Sequence, residues 1–200
     1  MKIYLVRHSE SEDDLIDAYG GAADWKLTEA GKKTVKKFRD NHKDLEFDVI
    51  YSSPLSRAYD TASIINENRK VKIKTLFGLR EFNQYGVMSG CTKEHAKQVF
   101  GYLLDNPKYK VLDYYKGKVF YGGETVSALD KRVKNTFEKI VADLYKNVLV
   151  VTHTGVFKSL CKNILGSDKK IKKIADCGML EFKYDKKKLT LTSVEGVTFE

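Results

Sequence analysis

Two histidines stand directly after apolar runs that read as buried strands, one near each end of the 200-residue chain. The first run, Ile-Tyr-Leu-Val, leads into Arg7-His8, and the second, Val-Leu-Val-Val, leads into Thr152-His153. A histidine at the end of a strand can act as a nucleophile, an acid, a base or a metal ligand. Both histidines could also be strand-end residues without any chemistry, so their neighbours have to decide between the two interpretations.

A further arginine follows a third apolar run, at residues 47–51. The Ser-Ser-Pro sequence after this run predicts a helix start, with Ser53 as the N-cap and Pro54 at the first helical position. Arg57 then lies about one turn into the helix, close to its amino terminus.

The residues that could do chemistry are therefore two histidines and two arginines at strand ends. The carboxyl ends of parallel strands share one edge of a sheet, so we expect Arg7, His8, Arg57 and His153 to meet there. Guanidinium groups bind phosphate in a bidentate manner, and helix N–H groups add a favourable dipole. Because unpaired charges are costly to bury, packing alone does not explain four such groups at one edge. The sequence predicts an anion site.

Strand and helix patterns alternate along the whole chain, without repeats or a linker. This alternation predicts an α/β fold, a three-layer α/β/α sandwich with a mostly parallel central sheet, as one domain over residues 1–200. The predicted strands cover residues 2–6, 47–51, 71–76 and 148–152, with a terminal hairpin at 179–183 and 189–194. Helices are predicted from Thr28 as N-cap, from Ser53, and over 93–104, 125–145 and 156–165.

Composition restricts the class of protein. The net charge is +9, but the lysines are spread over helix faces and turns, which is typical of a solvated surface. No known nucleic-acid module is present, so we expect no nucleic-acid partner. No apolar stretch is long enough to cross a bilayer and no signal peptide precedes the first strand, so we expect no membrane partner. Three cysteines without paired or metal-ligand spacing (Cys91, Cys161, Cys177) favour a cytoplasmic protein with reduced thiols.

Five motifs in order resemble those of the histidine phosphatase superfamily, the group that includes phosphoglycerate mutases. They correspond to the family patterns RHGE, SSPLxRAxxTA, LxE, GES and SHGG, and they span most of the chain. In this sequence the motifs are Arg7-His8-Ser9-Glu10, residues 52–62 (SSPLSRAYDTA), Leu79-Arg80-Glu81, Gly122-Gly123-Glu124-Thr125 and Val151-Thr152-His153-Thr154-Gly155.

The resemblance implies a role for each central residue. His8 would be the nucleophile that forms a phosphohistidine, and Arg7, Arg57 and His153 would hold the phosphoryl oxygens. Glu81 would protonate the leaving oxygen and then accept a proton from water. An ordinary ion pair with the adjacent arginine is the structural alternative for this glutamate. No metal and no cofactor are implied.

Two departures from the family motifs lie beside the phosphate. Ser9 replaces the glycine of RHGE, and Thr154 replaces the first glycine of SHGG. Their hydroxyls could bind phosphate oxygens or could crowd them. We include both among the predicted substrate-binding residues, together with Arg7 and Arg57.

Residues 82–122 are expected, by the resemblance, to form a small aromatic-rich cap over the site. The aromatic residues of this segment are Phe82, Tyr85, Phe100, Tyr102, Tyr109, Tyr114, Tyr115, Phe120 and Tyr121. Most of them should pack the cap onto the sheet, but at least one of Tyr85, Tyr114 and Tyr115 should line the substrate pocket, and Tyr85 is our predicted substrate-binding residue. The corresponding prediction is a preference for leaving groups with an aromatic or apolar part.

Three functions remain open. A phosphomonoester phosphatase acting on a small anionic metabolite is favoured over a cofactor-dependent phosphoglycerate mutase, because residues 82–122 are shorter than the mutase segment and Asp14 stands where mutases carry asparagine. The acidic residues Glu10, Glu12, Asp13 and Asp14 would also repel a second anionic group. A phosphate-binding module is the non-enzymatic alternative, although binding alone needs neither a nucleophile nor an acid. The sequence does not indicate the substrate or the oligomeric state.

Overall fold

One mixed sheet of six strands forms the centre of the protein, which we describe from a computed structural model over residues 1–108, 113–166, 170–186 and 188–200. The strand order is β3-β2-β4-β1-β5-β6. The strands are β1 (Lys2–Arg7), β2 (Val49–Ser52), β3 (Lys72–Thr75), β4 (Asn147–Thr152), β5 (Ile171–Asp185) and β6 (Lys188–Phe199).

Four strands, from β3 to β1, are parallel, and β5 and β6 join them in antiparallel orientation. The predicted mostly parallel sheet is therefore confirmed. The terminal hairpin is longer than predicted, and β5 pairs directly with β1. The first part of β5 escaped prediction because its register shifts between Ile174 and Met179, and Cys177 has a positive φ of 55°. Such an irregularity interrupts the alternation by which a strand is recognised.

Helices cover both faces of the sheet, so the predicted three layers are present. One core cluster joins α2 and α3 to one face, and a second joins α5 and α6 to the other. Within the described residues, no helix is both long and apolar enough to cross a membrane. The helices are α1 (Glu12–Leu15), α2 (Glu29–Asn41), α3 (Ser56–Asn66), α4 (Lys93–Leu104), α5 (Val126–Ala142) and α6 (Thr154–Leu165), with short 3₁₀ turns at Phe77–Leu79 and Gly86–Met88.

Helix α3 begins later than predicted. Its N-cap is Leu55, not Ser53, and Pro54 precedes the helix. The carboxylate of Asp24 accepts hydrogen bonds from the backbone N–H and the hydroxyl of Ser56, at 2.6 and 3.0 Å. A distant side chain thus supplies the first-turn acceptor that the prediction assigned to the local serine.

The other differences concern helix and strand ends. Helix α5 stops at Ala142 instead of Tyr145, since Leu144 has a positive φ of 58°. Helix α6 starts two residues earlier than predicted, with His153 as its N-cap. The predicted helix over 93–104 and the N-cap Thr28 are both confirmed.

The segment from residue 82 to 122 has a small core of its own. Met88, Ala96 and Phe120 are buried together, and Tyr85 and Phe100 pack against them. Two other aromatic residues of this segment contribute little to packing, because Tyr102 and Tyr121 are 76% and 67% exposed. Tyr109 lies outside the described residues.

Candidate active site

The strand ends meet at one edge of the sheet, as the sequence predicts. The backbone N–H of His8 donates to the carbonyl of Thr152 at 3.0 Å, which extends the β1–β4 pairing by one residue. The N–H of Ser53 likewise donates to the carbonyl of Val151 at 3.0 Å. Three loops that each follow a parallel strand therefore leave the sheet side by side.

His8 is held in one orientation by two neighbours. Its Nδ1 lies 2.7 Å from the carbonyl oxygen of Ser9, so this nitrogen carries the proton and donates it. The other ring nitrogen, Nε2, accepts from Nε of Arg57 at 3.3 Å. The unprotonated nitrogen of a buried imidazole thus faces a guanidinium, in the place where a nucleophile would need it.

The two arginines are anchored differently. Arg57 is 2% exposed, and its terminal nitrogens donate to the carbonyls of Ala23 and Gly21 at 2.8 and 3.1 Å. Arg7 donates from Nη1 to the carbonyl of Ile174 and to the carboxylate of Asp176, at 3.2 and 3.1 Å. These anchors fix both guanidinium groups; Arg7 is ion-paired with Asp176, whereas the anchors of Arg57 are neutral carbonyls.

His153 is fully buried beside His8, and the two ring centroids are 4.9 Å apart. Its Nε2 lies 2.8 Å from the hydroxyl of Ser53. Its Nδ1 and the Nε of Arg7 are buried and have no hydrogen-bond partner among the described residues. Buried donors of this kind suit an anion that would complete their hydrogen bonds.

Glu81 is oriented by the backbone. One carboxylate oxygen, Oε1, accepts from the N–H of Phe82 at 2.6 Å and from the N–H of Gly155 at 2.8 Å. Gly155 lies in the first turn of α6, and a Cβ there would overlap Phe82 and the Glu81 carboxylate. The alternative interpretation, an ion pair with Arg80, is absent from the described contacts, because Arg80 bonds the carbonyl of Phe77 instead.

Most of these side chains line a single cavity of about 280 Å³. Of the predicted site residues, Arg7, His8, Arg57, Glu81, Thr154 and Tyr85 line it, and His153 does not, although its ring packs against that of His8. The structure places Ser9 differently: its side chain is fully buried, and it contributes its carbonyl to His8. The remaining lining residues are Ser11, Asp13, Asp14, Ala18, Gly20, Gly21, Phe82, Gln84, Tyr114, Gly155 and Lys158.

The acidic residues after His8 divide into two groups. Glu10 accepts a hydrogen bond from the hydroxyl of Thr28 at 2.5 Å, and Glu12 accepts from the N–H of Lys26 at 3.2 Å. The two hydrogen bonds therefore fix the N-cap of α2 and the segment that leads into this helix. Asp13 and Asp14 are the two that line the cavity.

The tyrosines of the 82–122 segment also divide. Tyr85 and Tyr114 line the cavity, whereas the hydroxyl of Tyr115 accepts from the N–H of Ile171 at 2.8 Å, away from it. The preference for apolar leaving groups stays a prediction. Charged side chains also line the cavity, Asp13 and Lys158 among them, and they favour a leaving group that is also polar.

The protonation of both histidines is set by their surroundings. Burial, reinforced by the positive charges of Arg57 and Arg7, holds the pKa of His8 well below its usual 6.5. Burial and the charge of Arg57 lower the pKa of His153 in the same direction. Both rings are therefore neutral at physiological pH, as a histidine nucleophile requires.

These lowered pKa values predict a loss of stability in mild acid. In the unfolded chain the two histidines take up protons near pH 6.5, but in the folded protein they resist protonation. The unfolded state thus binds more protons below pH 6.5, and the free energy of unfolding should fall by up to about 1.4 kcal/mol per histidine for each pH unit. Urea unfolding at pH 7.0, 6.0 and 5.5 measures this slope. His153→Gln should reduce it, the exposed His95→Gln should leave it unchanged, and equal slopes in all three proteins would contradict the assignment.

The sequence-based prediction does not include three contacts that hold the candidate site residues in place. Ser53 bonds His153, Asp176 bonds Arg7, and Arg132 bonds the carbonyl of Glu81 at 3.0 Å. For Ser53 the sequence predicts a different role, that of helix cap. Asp176 and Arg132 lie far away in sequence from the residues they bond, and no local pattern connects them.

Comparisons with known proteins agree with this geometry. Residues 3–195 match the histidine phosphatase superfamily (branch 1). The phosphoserine phosphatase 1 of Hydrogenobacter thermophilus is 32% identical over 169 residues, which cover 84% of this chain and 78% of that protein.

Solved structures show the same fold. The alpha-ribazole phosphatase from Shigella flexneri superposes with a TM-score of 0.80 at 21% identity, over 98% of this chain and 96% of that one. The phosphoglycerate mutase from Bacillus anthracis superposes with a TM-score of 0.77 at 24% identity, over 97% and 92%. The family match over nearly the whole sequence and the convergence of its motif residues at one sheet edge lead to one conclusion: the chain belongs to the histidine phosphatase superfamily.

Proposed function

We propose that this protein is a phosphomonoester phosphatase that works through a phosphohistidine on a small phosphorylated metabolite. The observation that carries the proposal is the orientation of His8. Its Nδ1 donates to the carbonyl of Ser9, and its Nε2 is unprotonated and accepts from Arg57, which lines the cavity together with His8. A purely phosphate-binding site would not need an imidazole held with its unprotonated nitrogen toward the anion.

The reaction proceeds in two steps. In the first, Nε2 of His8 attacks phosphorus, an N–P bond forms, and the bond to the leaving oxygen breaks while Glu81 donates a proton to that oxygen. In the second, water attacks phosphorus, Glu81 accepts its proton, and the N–P bond breaks to release inorganic phosphate. Arg7 and Arg57, which line the cavity, stabilise the charge on the phosphoryl oxygens in both steps. Nδ1 of His153, which is buried and has no hydrogen-bond partner among the described residues, is proposed as a third donor to these oxygens.

Metal independence is part of the proposal. Two guanidinium groups and the amino terminus of α6 supply the positive potential that a divalent ion supplies in other phosphoryl-transfer sites. Chelation by EDTA should therefore leave the rate unchanged within about twofold, since no metal ion takes part. Strong inhibition that a divalent ion reverses would contradict this claim.

O-phosphoserine is the first substrate to test. A relative that is 32% identical is named a phosphoserine phosphatase. The cavity wall carries Asp13 and Asp14, which can pair with an ammonium group, and Lys158, which can pair with a carboxylate. The cavity volume of about 280 Å³ also favours a small leaving group.

Phosphoglycerate mutase is the second candidate, because a mutase shares the fold over 97% of this chain. A mutase has to accept a second anionic group near the phosphohistidine, and Asp13 and Asp14 oppose such a group. The two activities differ in products: a phosphatase releases inorganic phosphate, and a mutase isomerises its substrate.

We therefore expect hydrolysis to exceed isomerisation. The protein is incubated with O-phosphoserine, glycerol phosphate, p-nitrophenyl phosphate, or 3-phosphoglycerate with a bisphosphoglycerate primer, and ³¹P NMR follows both reactions. Phosphate release from the best monoester should be at least about tenfold faster than isomerisation, because the acidic wall disfavours the second phosphate. Fast isomerisation with little phosphate release would establish the mutase, and tight phosphate binding without turnover would establish a binding module.

A further inference from the structure

Arg132, on helix α5, uses all five of its N–H donors within the protein. Two donate to the carboxylate of Glu124 in a bidentate pair, from Nε at 2.6 Å and from Nη2 at 2.7 Å. Nη1 donates to the carbonyls of Gly78 and Arg80, both at 2.8 Å. The second Nη2 donor bonds the carbonyl of Glu81 at 3.0 Å. A guanidinium with no donor left for a ligand is a structural clamp.

All three carbonyls belong to one short segment that ends at Glu81. The same segment is fixed from the sheet, because the hydroxyl of Thr152 donates to the carbonyl of Leu79 at 2.7 Å. Helix α5 and strand β4 therefore hold the two sides of the backbone that leads to Glu81. An ion pair that merely fixed the loop before α5 would not need to engage these carbonyls.

We infer that Arg132 and Glu124 together position the carboxyl group of Glu81 for proton transfer. The inference rests on the proposed function. Neither residue lines the cavity, so they are positioning residues and act through Glu81. Proton transfer requires the acid within hydrogen-bond reach of the leaving oxygen, and a small displacement lowers the rate without weakening phosphate binding.

The leaving group provides the readout that a merely structural role would not move. The dinitrophenolate released from 2,4-dinitrophenyl phosphate leaves without protonation, whereas the phenolate released from phenyl phosphate needs an acid. Misplacing Glu81 should therefore slow only the hydrolysis of phenyl phosphate. For Arg132→Lys, which keeps the charge but loses the planar fork, we expect kcat/KM for phenyl phosphate to fall about 30-fold and for 2,4-dinitrophenyl phosphate less than about threefold. Competitive inhibition by inorganic phosphate should be unchanged.

Two further variants keep the test decisive. Glu124→Gln should show the same selective loss at about tenfold, and it decides the question if Arg132→Lys does not fold. Arg39→Lys is the matched control, because Arg39 pairs with Asp40 and Glu67 on the surface, and both esters should react at the wild-type rate. Glu81→Ala gives the reference pattern for a missing acid.

The outcomes separate this inference from the proposed function. Selective loss on phenyl phosphate in Arg132→Lys or Glu124→Gln, with a pH–rate profile altered on the limb that Glu81→Ala abolishes, supports the positioning role. Equal losses on both esters, or no loss, overturn it while the wild-type phosphatase activity stands. A wild-type protein that hydrolyses neither ester and none of the monoesters tested above overturns the proposed function and this inference with it.

Discussion

His8→Ala should lose at least about 10⁴-fold in kcat, because the substitution removes the atom that forms the covalent intermediate. The wild-type protein, quenched during turnover with labelled substrate, should carry phosphate that is stable in base and labile in acid, as a phosphohistidine is. The variant should carry none. His8 is buried but its ring touches the cavity, so the shorter side chain should leave the fold intact, which circular dichroism checks.

The exposed His95→Ala provides the matched control, and it should keep both the activity and the labelled intermediate. Near-normal turnover in His8→Ala would show that another group is the nucleophile. Label that persists in the variant would lead to the same conclusion, even if the rate fell.

Arg57→Met should lower kcat/KM about 10³-fold, because the variant keeps the length of the side chain but loses its charge and its contact with Nε2 of His8. A second effect follows from the pKa of His8. The positive charge of Arg57 helps to keep this pKa low, so without it the pKa rises and His8 is protonated at a higher pH. The acid limb of the pH–rate profile should therefore shift upward.

Arg69→Met controls for the loss of a carbonyl-bridging arginine, since Arg69 donates to the carbonyls of Ile65 and His42 away from the cavity. Its activity should be within about twofold of the wild type, and only its stability should fall. If Arg57→Met retained more than a tenth of the wild-type kcat/KM, Arg57 would not be a phosphoryl ligand.

Much of the site could be predicted because parallel strands impose a simple rule. Polar residues directly follow the carboxyl end of each buried strand, and all these ends lie at one edge of the parallel sheet. Arg7, His8 and His153 obey this rule directly, and Arg57 follows it because α3 starts just beyond β2. The residues that depend only on local sequence and strand order were therefore found.

The missed residues depend on tertiary contacts that no local pattern encodes. Asp176 reaches Arg7 from an antiparallel strand whose register shifts near that position, so neither its face nor its partner follows from alternation. Arg132 lies in a helix rich in lysine, where an arginine looks like part of a solvated face. Ser9 differs from these, since its side chain is buried and does not line the cavity, so its role as a phosphate ligand stays a prediction.

The position of β1 between β4 and β5 has a consequence for biosynthesis. Residues 2–7 are synthesised before both of their partner strands, which lie about three quarters of the chain or more away, at 147–152 and 171–185. Contacts of such high sequence separation form late, because a long loop has to close before any pairing is gained. The apolar strand β1, which leads into His8, therefore stays unpaired until β4 has been synthesised. Nascent chains that end before β4 should be inactive, and the first strand should depend on chaperones until β4 has emerged.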